Sequence, residues 1–194
     1  FHEAKRIERC PATANRILAL LKRALHLAVL WGQLDTSPVR GIRMHQENNQ
    51  RHRYLAGEEL SRFLAALDEE PNRTAAALFR FLLATGTRRN EALTARWDDI
   101  DLGQRQWRLP TSKNGRSRFV QLNDTAVKVL VGQMAVTNGE WVFPARGGRP
   151  GHLGDPKKAF ARVLQRAGIL DFRIHDLRHA YASMIVQSGL SLQV

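Results

Sequence analysis

The sequence lacks the features that mark secreted, membrane-spanning and disulfide-stabilised proteins. Its one cysteine, Cys10, has no second cysteine to pair with, and it belongs to no cluster of residues with metal-ligand spacing. No apolar run approaches the roughly 20 residues of a membrane-spanning helix. Charged residues follow Phe1, where a signal peptide would have an apolar stretch. These absences favour a globular protein of the cytoplasm.

Positive charge is abundant, with a net charge of +12 at pH 7. Residues 1–53 carry 10 lysines and arginines against 4 acidic residues, so about a quarter of the chain holds half of the excess. A basic segment beside a globular body is typical of proteins that bind polyanions. Composition alone leaves DNA, RNA and anionic membranes open as partners.

Apolar periodicity predicts a mainly helical chain with a small antiparallel β-sheet, an α+β class. The helices are expected from the N-cap Thr13 to about Trp31, and at 57–67, 72–85, 88–95, 123–134, 155–167 and from His175 onward. Two strands, 104–110 and 117–122, are predicted to form a hairpin around Asn114-Gly115, because both residue types tolerate positive φ. A further short strand is expected at 141–143.

A polar stretch without apolar periodicity separates a first helical segment from the rest of the chain. We expect a helical fragment at 1–46, a linker at 47–53 and a larger domain at 54–194. The first residue is Phe1, and the last residues continue a helical pattern without a stop signal. We therefore expect both ends to be incomplete.

Three separated motifs contain residues suited to phosphate chemistry. In the first, Arg88 follows a helix end at Thr85-Gly86 and starts a new helix, where backbone N–H groups favour an anion. Glu91 lies three residues later on the same face and could hold the guanidinium. Alone, such an arginine is more often an ordinary surface residue.

The second and third motifs each add a proton donor or acceptor. Lys113 lies next to the predicted hairpin tip, where it could reach a bound ligand; Arg116 and Arg118 are close enough to be alternatives. In His175-Asp176-Leu177-Arg178-His179, the first and fourth residues face one side of a helix, which places an imidazole beside a permanent cation. Either motif alone could be surface charge at chance spacing.

In their order, Thr-Gly-x-Arg-x-x-Glu, hairpin Lys-Asn-Gly and His-x-Leu-Arg-His resemble the tyrosine recombinase (phage integrase) family. The resemblance covers residues 54–194, and it includes Trp97-Asp98-Asp99-Ile100-Asp101 and Val142-Phe143-Pro144. Residues 12–44 are similar to the last helices of the family's core-binding domain, which clamps DNA. The resemblance implies a site-specific recombinase that cleaves and rejoins double-stranded DNA through a 3′-phosphotyrosyl intermediate.

The resemblance also implies a role for each motif residue. Arg88 and Arg178 would neutralise the scissile phosphate, Lys113 would be the general acid, and His175 would assist proton transfer. Glu91 and His179 would support the site. DNA contacts are expected from basic residues of both segments, namely Lys22, Arg23, Arg43, Arg116 and Arg118. No metal or other cofactor is implied.

The family's nucleophile is a tyrosine well downstream of the His-x-x-Arg-His motif, and no tyrosine lies beyond Tyr181 here. We expect Tyr181 and Tyr54 to be packing residues, so that this chain binds DNA without cleaving it unless another protomer supplies the nucleophile. The resemblance implies a tetramer on paired DNA sites, with DNA-bending proteins or an excisionase as further partners. A DNA-binding regulator derived from an integrase and a type IB topoisomerase are the alternatives.

Overall fold

The computed structural model describes residues 3, 4, 7, 10–48, 53–55, 57–110, 117–145, 147 and 151–187. The chain divides into two compact units, residues 1–51 and residues 52–194. In the described part of the chain, none of the helices has the length and apolar character needed to cross a membrane.

The first unit contains one long helix, α1 (Pro11–Leu30). It begins with Cys10 as its N-cap and Pro11 in its first turn, where proline's missing N–H costs no hydrogen bond. The predicted N-cap Thr13 is therefore wrong by three residues, since it lies within the helix, with its hydroxyl 3.2 Å from the sulfur of Cys10. The predicted end of the helix near Trp31 is confirmed, since Trp31 is its C-cap and Gly32 follows with a left-handed φ of 69°.

A buried amide fixes the segment after α1 to that helix. The Asn15 side chain accepts a hydrogen bond from the backbone N–H of His45 at 2.8 Å and donates to the carbonyl of the same residue at 2.8 Å. Its amide also donates to the Glu47 carboxylate at 2.6 Å. Asn15 thus donates to and accepts from the backbone of one residue, as a neighbouring strand would. These hydrogen bonds hold residues 45–47 against α1.

The second unit is built around the helix α3 (Arg73–Thr85), which buries nine of its residues. It contacts α2 (Glu58–Asp68), α4 (Arg89–Leu93), α5 (Asp124–Met134), α6 (Lys157–Ala167) and α7 (Asp176–Gln187). A helix that is apolar on most sides is stable only when it is surrounded. The asparagines before α3 and α5, Asn72 and Asn123, each accept a hydrogen bond from the third backbone N–H that follows, as their sequence context indicates.

A three-stranded antiparallel sheet packs against this helical core. Its strands are β1 (Ile100–Asp101), β2 (Gln106–Leu109) and β3 (Arg118–Gln121), in that order. The antiparallel pairing of β2 with β3 agrees with the predicted hairpin, whereas β1 is not among the predicted strands. The predicted strand at 141–143 is wrong, because Trp141 forms only an isolated bridge with Arg96. The predicted class, mainly α with a small antiparallel sheet, is confirmed.

Aromatic rings join the layers of the second unit. Phe81 of α3 lies 5.3 Å from the Trp107 ring of β2 and 5.6 Å from the ring of Phe143, between centroids. On the other side of α3, Phe79 meets Phe160 of α6 edge to face at 5.0 Å. The rigid core therefore extends from the sheet to α6, and the loops of the candidate site start from it.

A buried carboxylate connects the loop between α2 and α3 with α6. Glu70 is fully buried, accepts hydrogen bonds from both the Nε and an Nη of Arg162, and accepts one from the backbone N–H of Asn72 at 3.1 Å. Burial raises the pKa of Glu70, but the hydrogen bonds from Arg162 and Asn72 outweigh it, and the net pKa is lowered. The charged form is therefore the one that fits this loop.

Candidate active site

A left-handed glycine turns the chain from α3 into α4 and places Arg88 at the start of α4. Gly86 has a φ of 61° and donates its N–H to the Leu82 carbonyl at 2.9 Å. On either side of it, Thr85 and Thr87 are buried, with their hydroxyl oxygens 3.0 Å apart. Arg88 is the N-cap of α4 and its side chain is about half exposed. Because α4 has only five residues, the charge offered to an anion comes chiefly from the guanidinium.

The Glu91 carboxylate holds two arginines. One oxygen accepts the Arg88 guanidinium at 2.8 Å, and the other accepts the Arg88 backbone N–H at 2.9 Å and the Arg118 guanidinium at 2.8 Å. The Glu91 side chain is only 13% exposed. This burial raises its pKa, but the hydrogen bonds from Arg88 and Arg118 outweigh it and keep the pKa below its usual value.

The first turn of α7 is attached directly to the glycine turn. The Arg178 guanidinium donates to the Gly86 carbonyl at 2.7 Å, and this arginine is half-buried. The contact joins two motifs that are 92 residues apart in sequence. It places the cation of α7 beside the turn that carries Arg88.

Tyr181, three residues after Arg178 on α7, packs against the same turn. A Cβ atom added to Gly86 would lie 2.1 Å from Cδ1 of the Tyr181 ring, so the ring occupies the space that any side chain at this position would need. Gly86 is thus required twice, for its left-handed φ and for this close approach.

The two histidines of the third motif lie at the start of α7. His175 immediately precedes the helix and is exposed, and its ring is 5.5 Å from that of His179 at an interplanar angle of 87°. Partial desolvation and the nearby His179, Arg178 and Arg88 lower the pKa of His175, whereas Asp176 acts in the opposite direction. The imidazole is therefore mostly neutral at pH 7.

The structure brings five of the predicted site residues to one region: Arg88, Glu91, His175, Arg178 and His179. Two guanidinium groups that cannot lose their charge lie near a neutral imidazole, which suits binding a phosphate and moving a proton. Lys113 and Arg116 lie outside the described residues. Among those that are described, no group of three or more His, Cys, Asp or Glu residues could hold a metal ion.

Each of the other predicted residues that the structure describes lies in a different environment. Lys22 donates its ammonium to the Ile42 carbonyl, and Arg23 and Arg43 are exposed in the first unit. Arg118 pairs with Glu91, a contact that the sequence analysis missed. The two residues are 27 positions apart, and no local pattern indicates their pairing.

Comparison with protein families gives one match over most of the second unit. Residues 53–194 match the model of the phage integrase family. The integrase of Salmonella phage P22 is 34% identical over 197 residues, covering 94% of this chain and 49% of that protein. The shufflon-specific DNA recombinase of Escherichia coli is 34% identical over 186 residues, covering 92% of this chain and 46% of that protein. The chain thus spans about half the length of these relatives.

Solved structures show the same fold at lower sequence identity. The lambda integrase tetramer bound to a Holliday junction matches with a TM-score of 0.80 and 20% identity, over 98% of this chain and 59% of that chain. A lambda integrase dimer bound to a COC′ core site matches with a TM-score of 0.79 and 20% identity, over 97% of this chain and 72% of that chain.

Proposed function

Because the chain belongs to the phage integrase family, we propose that the protein is a site-specific recombinase that cleaves and rejoins double-stranded DNA through a 3′-phosphotyrosyl intermediate. The observation that supports this most directly is the hydrogen bond from Arg178 to the Gly86 carbonyl. It holds the cation of one motif against the turn that carries the cation of another. Phosphoryl transfer requires positive charge beside the phosphate as negative charge develops on it, and two guanidinium groups held together supply that charge.

In the proposed reaction each described residue has a distinct task. Arg88 and Arg178 bind the non-bridging oxygens of the scissile phosphate, where negative charge accumulates as a tyrosine hydroxyl attacks the phosphorus. The neutral imidazole of His175 is able to accept a proton at pH 7 and pass it on. Lys113 is proposed to protonate the departing 5′ oxygen. Glu91 orients Arg88 by accepting a hydrogen bond from its guanidinium, and His179 supports His175 by packing its ring against the His175 ring.

Neither of the chain's two tyrosines is proposed as the nucleophile. The Tyr181 ring packs against Gly86. Tyr54 is followed by the buried Leu55, just before α2. Cleavage by this protein then depends on a tyrosine outside residues 1–194, or on one from another protomer. The 194-residue chain by itself is expected to bind duplex DNA and to leave it intact.

The experiment begins by selecting a binding site from a random duplex library with the 194-residue chain. A nicked duplex containing that site is then mixed with this chain and with a longer form that continues beyond Val194 in the coding sequence. We expect a covalent protein–DNA adduct, resolved by denaturing electrophoresis, from the longer form only. In the longer form, Arg178→Ala should reduce adduct formation by at least about 100-fold, as expected when a transition-state charge contact is removed.

The matched control is Tyr181→Phe in the longer form, which keeps the ring against Gly86 and removes only the hydroxyl. It should form the adduct at the parent rate. An adduct from the 194-residue chain that Tyr181→Phe abolishes would show that Tyr181 is the nucleophile. Specific binding without any adduct from the longer form would favour a DNA-binding regulator. Relaxation of supercoiled DNA without sequence preference would favour a type IB topoisomerase.

The proposed partners follow from the proposed reaction. Exchange of strands between two duplexes needs several active sites, and lambda integrase is seen as a tetramer on a Holliday junction. We propose a tetramer on paired sites here as well, assisted by DNA-bending proteins or an excisionase, and acting in the cytoplasm where bacterial and phage DNA lies. Lys22, Arg23, Arg43 and Arg116 are proposed DNA contacts.

A further inference from the structure

We infer that Arg118 is a positioning residue that acts through Glu91 on Arg88, and that it is not a direct DNA contact. The inference rests on the proposed function, because it assigns Arg118 a part in the same phosphate chemistry. Arg118, one of the residues predicted to contact DNA, forms an ion pair with Glu91 of the candidate active site.

Both carboxylate oxygens of Glu91 accept hydrogen bonds, and together they bridge Arg88 and Arg118. Its Oε1 accepts from the Arg88 guanidinium, and its Oε2 accepts from the Arg88 backbone N–H and from the Arg118 guanidinium. The carboxylate is 13% exposed, whereas the Arg118 and Arg88 side chains are 39% and 49% exposed. A nearly buried carboxylate between two cations is held more firmly than an exposed pair, because water screens it less.

The position of Arg118 in the sheet explains what the bridge connects. Arg118 is the first residue of β3 and lies opposite Leu109, the last residue of β2. Glu91 belongs to α4 and Arg88 caps that helix. The bridge therefore fixes the start of β3 to the start of α4, so that the guanidinium proposed to bind the phosphate keeps one position.

The test compares Arg118→Ala, Arg118→Lys and a matched control, Arg108→Ala. Arg108 lies on the adjacent strand β2 and pairs at 2.8 Å with Asp99, whose side chain is 10% exposed. The control thus removes an arginine of the same sheet from a similarly buried carboxylate that has no connection to Arg88. Circular dichroism and the midpoint of urea unfolding verify that each variant is folded.

In the longer form of the protein, we expect Arg118→Ala to slow adduct formation by about 10- to 100-fold, the scale of a misplaced catalytic group. Arg118→Lys should restore part of the rate, because its ammonium can still donate to Glu91, and Arg108→Ala should leave the rate unchanged. Arg118→Ala and Glu91→Ala should be strongly non-additive when combined, since both break one bridge.

A second measurement uses non-specific duplex DNA and the 194-residue chain, so it does not depend on cleavage. The dependence of affinity on salt should have the same slope for the parent chain and for Arg118→Ala. A direct phosphate contact would instead reduce the slope by about one, and that result overturns the inference even if no form of the protein makes an adduct. A parent-like rate of adduct formation in Arg118→Ala overturns it as well. Absence of an adduct from the parent longer form contradicts the proposed function, and the salt slope then decides the role of Arg118.

Discussion

At the scale of single residues, His175 shows how its surroundings set a proton affinity. It lies at the start of α7 with its ring against that of His179, and Arg178 follows one turn later. Partial desolvation and the neighbouring His179, Arg178 and Arg88 disfavour the imidazolium, so its pKa is lower than the usual 6.5. An incoming phosphate reverses this balance, because an anion stabilises the protonated ring. The residue is thus able to take up a proton when DNA binds.

The pKa of His175 can be measured by NMR titration of the 194-residue chain. We expect a midpoint below 6.5, and we expect His179→Gln to raise it, because one source of positive charge is removed. The control Arg173→Gln removes an exposed cation of the preceding turn that is not among the main causes of the lowered pKa, and it should leave the midpoint nearly unchanged. An equal rise in both variants would mean that overall charge, and not the ring of His179, sets the value.

The same shift has a consequence for stability with a definite sign. As pH falls below 6.5, the unfolded chain takes up a proton at His175 before the folded chain does. The contribution of His175 to the free energy of unfolding should therefore be greatest above pH 6.5. It should decrease as pH falls toward the lowered pKa. Glu91 adds a loss in more acidic solution, because its own pKa is lowered and its contribution is present only above that value.

At the scale of helices and strands, the sequence predicts the elements whose signals are local. The left-handed glycines Gly86 and Gly168 end their helices where predicted, and Asn123 caps α5. Strand β1 could not be predicted, because its two residues are held by pairing with β2 and by no alternation of their own. Trp141 and its neighbours have high β-propensity, but Trp141 pairs with Arg96 through a single isolated bridge, so no strand forms there.

In the candidate site too, the sequence predicts individual residues but not the contacts between them. Arg88, His175 and Arg178 could be selected because each lies in a short motif. Their proximity could not be derived from periodicity, since it depends on the hydrogen bond between Arg178 and the Gly86 carbonyl across 92 residues. The bridge from Glu91 to Arg118 depends on the register of β2 with β3, which no turn signal specifies.

The docking of α7 against the glycine turn can be tested with two glycines that differ in one respect. Gly86 and Gly168 have φ values of 61° and 63°, and both cap helices. Nothing lies within 4 Å of a Cβ added to Gly168, whereas one added to Gly86 meets the Tyr181 ring at 2.1 Å. Gly168→Ala should lower the free energy of unfolding by about 1–2 kcal/mol, the cost of a left-handed alanine.

Gly86→Ala should cost about 1–3 kcal/mol more than Gly168→Ala, because α7 must move away from the turn. Urea unfolding of the 194-residue chain measures both losses. In the combined variant Gly86→Ala with Tyr181→Ala, the excess should shrink, since the ring that causes the clash is gone. Equal losses for the two single alanine variants would mean that α7 is not packed on Gly86.

At the scale of the whole molecule, the two units bury very different amounts of apolar surface. In the first unit the described helix α1 buries only Ala14, Asn15 and Leu18, and it leaves large side chains such as Leu20 and Leu30 exposed. In the second unit α3 alone buries nine residues, within a core that extends over its helices and sheet. Because local stability follows buried apolar contact, the two units should differ in how often their backbones open.

Hydrogen–deuterium exchange with mass spectrometry can measure that difference. Amides of α1 should exchange at least about 100-fold faster than those of α3, which corresponds to about 3 kcal/mol less resistance to opening. Duplex DNA should slow exchange in α1 more than in α3, because Lys22 and Arg23 are proposed to hold phosphates and binding stabilises the state that binds. The variant with both residues changed to Gln should lose this protection. Equal protection of α1 in that variant would exclude these two side chains as the DNA contacts of the first unit.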